Sequence, residues 1–200
     1  MLLRHFVDLA DRFILLCGGI AFWWHFAPAA LVHPQYFLMM LETGFVCIMT
    51  TIRPFGRPFA TRLWPIVIAL LAGNLLMWVR PEGYNPGGAT LGGILIFVGF
   101  AFSSCAKIAL NRRFSILPAA ISVQDKGPYA LIRHPVYAGY FVTYLGFLIT
   151  NPTIWNFSIY VLAVICQILR INEEEKVLDL DPKYEAYQRK VRFRLVPGVY

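Results

Sequence analysis

Apolar residues run through this chain in six stretches, at 12–31, 36–52, 63–79, 89–110, 136–150 and 153–170, with polar and breaker residues gathered in the gaps. About 20 apolar residues, at about 1.5 Å rise each, cross a hydrocarbon core of about 30 Å. The fourth stretch meets that length, the second and third are marginal, and the last two are short. Only Asn151-Pro152 separates those two. Asparagine is a good helix N-cap and proline suits the first helical position, so 136–170 is expected to form a tight helical hairpin. The pattern predicts an all-α fold, a polytopic integral membrane bundle of about five to six transmembrane helices.

Composition agrees. Charged residues make up only 14% of the chain, against roughly a quarter in an average soluble domain. The net charge of +7 does not point to nucleic acid, because the cations sit between the apolar stretches rather than on one polar face. Arg4 and Arg12 precede the first stretch, Arg53, Arg57 and Arg62 follow the second, and Arg112, Arg113, Lys126 and Arg133 lie between the fourth and fifth. More follow from Arg170 to Arg194, whereas the alternate gaps carry only Arg80. By the positive-inside rule both termini are expected in the cytoplasm. Ala27-Pro28-Ala29 is a poor signal-cleavage site because of its proline, so the first stretch is expected to remain as a membrane helix.

Cys17, Cys47, Cys105 and Cys166 all lie in apolar stretches without metal or redox spacing and read as small buried hydrophobes. His25 and His33, near Trp23 and Trp24, read as interfacial. Glu42, an acid within an apolar stretch, is expected to face the bundle interior, near enough to the outer end to reach the interface. Lys107 is expected to snorkel to the near interface. Gly92, Gly93 and Gly99 permit close helix packing. Pro54 to Pro58 reads as a stiff basic turn.

Two polar knots remain. The first runs from Gly127 to Gly139 and holds Tyr129, Arg133, His134 and Tyr137 between Pro128 and Pro135. The loop before it, from 111, turns at Pro118 and carries a short extended piece at Ile121–Gln124. His134 precedes a proline and is biased out of the helical region, which is expected to leave backbone groups free at the helix mouth for a ligand. His134 and Tyr137 then face one pocket. The second knot, Arg170 to Glu175, leaves the last apolar stretch. Arg170 and Glu174 are four apart and share a helical face. A guanidinium at that boundary suits an anion. Asp181 is expected to cap a last helix that starts at Pro182 and packs Tyr184, Tyr187 and Val191 over the site. Topology puts both knots on one side, so they are expected to meet.

The pattern Gly127-x-Tyr129-x-x-x-Arg133-His134-Pro135-x-Tyr137-x-Gly139, followed by Arg170-x-x-x-Glu174-Glu175-x-x-Leu178 and Tyr184-x-x-Tyr187, resembles the isoprenylcysteine carboxyl methyltransferase family. The resemblance covers roughly 105–197, and phospholipid N-methyltransferases share its general plan. It implies N-terminal transmembrane helices over 1–104 and a catalytic region over 105–200. It also implies an S-adenosylmethionine-dependent enzyme with a cytoplasmic pocket in that second region. By position, the cofactor is expected at Ile121, Ser122, Val123, Gln124, Tyr129, His134, Pro135, Val136, Tyr137 and Glu174. Arg170 is expected to bind the acceptor, and Arg170 and Glu174 to form the catalytic pair. Relatives usually carry Leu-Val where this chain has Val123-Gln124. The partner implied is a lipophilic small molecule or lipidated peptide, with membrane lipids around it.

Displacement at a sulfonium needs the donor, methyl and nucleophile in line, about 3 Å apart. A carboxylate nucleophile is already ionised at neutral pH, whereas an amine must first lose a proton. Arg170 therefore favours carboxyl O-methylation, with phospholipid N-methylation the alternative. A nicotinamide-dependent sterol-type reductase shares the C-terminal architecture, but the Arg170–Glu174–Glu175 spacing argues against it. A transporter or scaffold predicts charges near the bilayer midplane rather than at one interface.

Overall fold

The computed structural model describes residues 2–53, 63–111 and 123–198. Their helices are α1 (Leu2–Val32), α2 (Gln35–Ile52), α3 (Leu63–Asn74), α4 (Pro86–Leu110), α5 (Pro135–Thr150), α6 (Ile154–Leu178) and α7 (Pro182–Lys190). Short 3-10 turns occupy Leu75–Trp78 and Gly127–Ala130, and no strand occurs among the described residues. The expected turns at Pro54–Pro58 and Pro118, and Ile121 and Ser122, lie outside the described residues. Four helical segments, His5–Val32, Gln35–Ile52, Pro86–Leu110 and Ile154–Leu178, are long and apolar enough to cross a membrane. The segments Leu63–Trp78 and Pro135–Thr150 are shorter. The chain is a polytopic helical membrane bundle.

Two helices outrun their apolar stretches because charged residues find partners inside the bundle. α1 begins at Leu2, so Arg12 lies within the helix instead of flanking it. Its guanidinium pairs with Asp8 at 3.1 Å and donates to the carbonyls of Thr51 (2.7 Å) and Arg53 (2.9 Å). Carbonyls at a helix C-terminus lack intrahelical partners, and Arg12 supplies one for α2. Arg53 in turn pairs with Asp8 at 2.5 Å and Asp11 at 2.6 Å. α6 likewise runs past Arg170 to Leu178.

The α5–α6 turn differs from expectation. Asn151 does not cap α6; Thr153 does, accepting from the Asn156 amide at 3.2 Å. Asn151 is engaged elsewhere, with its side-chain oxygen accepting from the Tyr36 hydroxyl at 2.8 Å. The Asn156 side chain bonds both backbone groups of Arg80 at 2.9 Å. These links tie the start of α2, the end of α5 and the start of α6 together at one end of the bundle. The opposite end gathers the start of α1, the end of α2 and both knots.

α4 and α5 pack backbone to backbone. A Cβ on Gly92 would fall 2.5 Å from the Gly146 carbonyl, and one on Gly139 would fall 2.8 Å from the Gly99 carbonyl. Small residues drive such contacts in membranes, where lipid tails remove the usual hydrophobic drive between helices. Gly92 and Gly99 serve as expected. Gly93 does not, since a Cβ there would meet only Gln35 at 3.8 Å. The main core draws on both halves of the chain, joining Phe22, Phe26, Tyr36 and Met39 to Ile96, Tyr144, Phe147 and Tyr160.

Candidate functional site

The site begins at Gly127. Its φ of +62° is a left-handed value that favours glycine, and a Cβ there would meet nothing nearer than Ala109 at 4.0 Å, so the requirement is conformational. The turn it starts buries Tyr129. His134 then holds φ −125°, ψ 60°, outside the helical region, and Pro135 opens α5.

The backbone groups at this mouth are not all free. The C-terminal segment returns across it, and the amides of Arg133 and His134 donate to the carbonyls of Phe193 and Arg194, both at 2.9 Å. Asp181 caps α7 as expected, accepting from the Lys183 amide at 2.9 Å. Tyr184, Tyr187 and Val191 are buried with Val123 and Leu178 packed against them. The Tyr187 hydroxyl donates to the Tyr129 carbonyl at 2.7 Å. Burial pushes the Tyr184 and Tyr187 phenols well above the ordinary tyrosine range, so both remain hydrogen-bond donors.

The two knots meet. The Tyr137 hydroxyl donates to Glu174 Oε1 at 2.5 Å. Arg170 Nε lies 3.4 Å from the same oxygen, and the guanidinium sits 5.3 Å from the centre of the Tyr137 ring. His134 and Tyr137 rings are 5.8 Å apart. Adjacent Glu175 turns the other way. It is buried, and it meets His134 Nε2 at 3.1 Å, Arg133 at 3.5 Å and Arg194 at 2.5 Å. The Tyr184 hydroxyl donates to it at 3.3 Å. Nothing within the triple-glutamate run marks which acid faces the site. That choice depends on the rotation of α6.

A cavity of about 210 Å³ opens from this cluster. Val123, Gln124, Tyr129, His134, Val136, Tyr137, Arg170 and Glu174 line it, so these expected positions share one wall system. Pro135 is buried in the α5 start rather than lining it. Residues 88–181 match the family model described as phospholipid methyltransferase. The site-bearing half of the chain is methyltransferase-like. No curated protein matches the chain significantly.

The methyltransferase-like region supplies only part of the cavity. The rest of the wall is mostly apolar and comes from α1–α3 and the 3-10 turn after α3, including Leu15, Phe22, Met39, Val46, Ala72 and Leu76. Glu42 also lines it. It accepts from Ser103 Oγ at 2.8 Å and pairs with Lys107, which is fully buried. Lys107 therefore does not snorkel. It sits over the Tyr140 ring at 5.1 Å and holds a carboxylate charge within the bundle. The intramembrane acid alone signalled a partner; its identity depends on how α2 and α4 are rotated.

Proposed function

We propose that the chain is an S-adenosylmethionine-dependent methyltransferase acting on a lipophilic acceptor, with carboxyl O-methylation the reading that Arg170 favours. The observation that carries this is one cavity with a carboxylate, a guanidinium and tyrosines at its mouth and an apolar wall beyond. The donor set fits a small cationic cofactor. Glu174 presents a carboxylate to the cavity, Tyr129 and Tyr137 present aromatic rings, and the buried Gln167 Oε1 has no partner among the described residues.

Glu174, His134, Tyr129, Val136, Tyr137 and the Val123-Gln124 backbone would hold the cofactor. When bound, it supplies an electrophilic methyl group on a sulfonium. The Glu174 carboxylate balances the positive charge, and its bond from Tyr137 fixes its direction. Arg170 orients an acceptor carboxylate through a fork of N–H donors. Apolar residues of α1–α3 exclude water, which strengthens attraction between the paired charges as they cancel. α7 closes the mouth on the side that the arginine pattern puts in the cytoplasm.

A second reading, methylation of a phospholipid amine, has its own support in the family match and in Glu42. An amine must shed a proton before it attacks, and the Glu42 carboxylate on the cavity wall is a group that can accept it.

The test is binding of labelled S-adenosylmethionine to purified protein, then methyl transfer to farnesylcysteine and to phosphatidylethanolamine in mixed micelles. Transfer to the first supports the carboxyl reading and transfer to the second the amine reading. Binding of a nicotinamide cofactor in place of S-adenosylmethionine overturns both.

A further inference from the structure

The layer in which the two knots meet is repeated deeper in the bundle. Tyr137 on α5 meets Glu174 on α6 at 2.5 Å. The two helices run in opposite directions, so seven residues further along α5 and seven back along α6, Tyr144 stands opposite Gln167. Seven residues are about two turns, or about 10.5 Å along the axis. In the first layer the hydroxyl and the carboxylate satisfy each other. In the second, the Tyr144 hydroxyl faces the Gln167 amide, yet that hydroxyl and Gln167 Oε1 both lack a hydrogen-bond partner among the described residues. Both residues line the cavity, and they are only 4% and 2% exposed. Stacking on Tyr160 at 4.7 Å holds the Tyr144 ring. Neighbouring polar groups of the wall are already engaged. Thr143 donates to the Gly139 carbonyl at 3.1 Å, Thr43 donates to the Met39 carbonyl at 3.0 Å, and Glu42 is held by Ser103 and Lys107. The Tyr160 hydroxyl is also unpartnered among the described residues, but Tyr160 is not on the cavity wall.

We propose that Tyr144 and Gln167 form a subsite for a hydroxyl carried on the acceptor's chain, two helical turns inward from the group that is methylated. The inference rests on the methyltransferase reading for which end of the acceptor lies at Arg170. Buried polar groups without partners are costly, and Phe22, Met39 and Leu76 on the same cavity wall offer them no hydrogen bond. A hydroxyl answers both groups at once, donating to Gln167 Oε1 and accepting from Tyr144. An ester carbonyl only accepts and leaves Gln167 Oε1 unpaired. A plain alkyl or isoprenoid chain leaves both unpaired. A site built to hydrogen-bond a ligand's hydroxyl rejects the analogue that lacks it. The Arg170 guanidinium reaches the first layer, 3.4 Å from Glu174, so a head group held there lies about 10 Å from the second. An extended chain advances about 1.2 Å per bond, which puts the hydroxyl about nine bonds from the head group. The acceptor class is a lipid acid hydroxylated in mid-chain. Depth separates this subsite from the cofactor, whose charge is balanced one layer nearer the mouth, at Glu174.

The test is displacement of tritiated 10-hydroxyhexadecanoic acid from the purified protein in mixed micelles. The unlabelled 10-hydroxy acid should compete at a concentration at least tenfold below that needed for hexadecanoic acid, which has no hydroxyl, or 16-hydroxyhexadecanoic acid, which carries it at the chain end. Tyr144→Phe removes the hydroxyl and keeps the stacked ring, and Gln167→Leu removes the side-chain carbonyl. Either should cut the mid-chain preference at least fivefold, and Tyr144→Phe carries the test alone if Gln167→Leu does not fold. Equal competition by the three acids, competition by none of them, or a preference that survives Tyr144→Phe overturns the proposal. A loss of S-adenosylmethionine affinity in the variants with the preference intact also overturns it, because the layer would then belong to the cofactor. A mid-chain preference in a protein that binds no S-adenosylmethionine would instead sink the methyltransferase reading and leave the subsite standing.

Discussion

Glu174 and Glu175 flank His134 but differ in what else they meet, and they should fail to different degrees. Glu174 lines the cavity and accepts from Tyr137. Glu174→Gln keeps the shape and removes the charge, so cofactor affinity should fall at least tenfold, by about 1.4 kcal/mol or more, with a smaller drop in melting temperature than Glu175→Gln because Glu174 is the more exposed of the two. Isothermal titration and a thermal melt on one sample decide it. Glu175 is buried among His134, Arg133, Arg194 and Tyr184. Removing one member of such a buried charged group costs about 3–5 kcal/mol, so Glu175→Gln should lower the melting temperature before any effect on chemistry is read. The Glu42–Lys107 pair gives a sharper version. Lys107→Met strands an acid in the bundle, and adding Glu42→Gln should restore part of the lost stability in a double-mutant cycle. The meeting of Tyr137, Arg170 and Glu174 was legible in the sequence because helical spacing and topology both demanded it. The pairing of Glu42 with Lys107 was not, since two residues far apart in sequence meet only when both helix rotations are known.

At the scale of elements, the hydrophobic pattern located the apolar stretches but not their polar extensions. α1 reaches back to Leu2 and α6 on to Leu178 because buried ion pairs and the C-terminal segment offer partners that no local pattern contains. The capping residue of α6 moved from Asn151 to Thr153 for a similar reason: a distant tyrosine claimed the asparagine. The α4–α5 seam was half legible, through Gly92 and Gly99, while Gly139 and Gly146 complete it from the facing helix. Gly139→Leu should drive a side chain into the α4 backbone and destabilise the bundle by about 1–3 kcal/mol or more, seen as a lower melting temperature in detergent. α7 makes a pH prediction. Tyr184 and Tyr187 have raised folded-state pKa values, so the unfolded segment ionises first. Their contribution is intact below about pH 10 and falls as pH rises beyond it. Limited proteolysis of the tail should accelerate above about pH 10 and stay flat from pH 7 to 9.

For the molecule as a whole, the cavity is lined by residues on both sides of position 105. Residues before that point form much of its apolar wall and share its core. A sequence signature marks residues that touch a common ligand, and apolar walls need only volume and polarity. Many sequences satisfy that need, so the N-terminal half carried no motif to read. The alternating arginines make a prediction about orientation as well. A cysteine placed at Lys190 should react with a membrane-impermeant maleimide in inverted vesicles and not in intact cells, as expected for a cytoplasmic tail.

The bonds from Arg133 and His134 to Phe193 and Arg194 have a consequence in the order of synthesis. The mouth of the cavity is clasped by residues that leave the ribosome after α1–α6. Insertion of the bundle and completion of its mouth are thus separate events in the life of the chain. A protein stopped after Lys190 should integrate into the membrane and still fail to hold S-adenosylmethionine, as a pulldown of the truncated chain on immobilised cofactor would reveal. The membrane receives the scaffold first, and the segment after α7 decides when the mouth is complete.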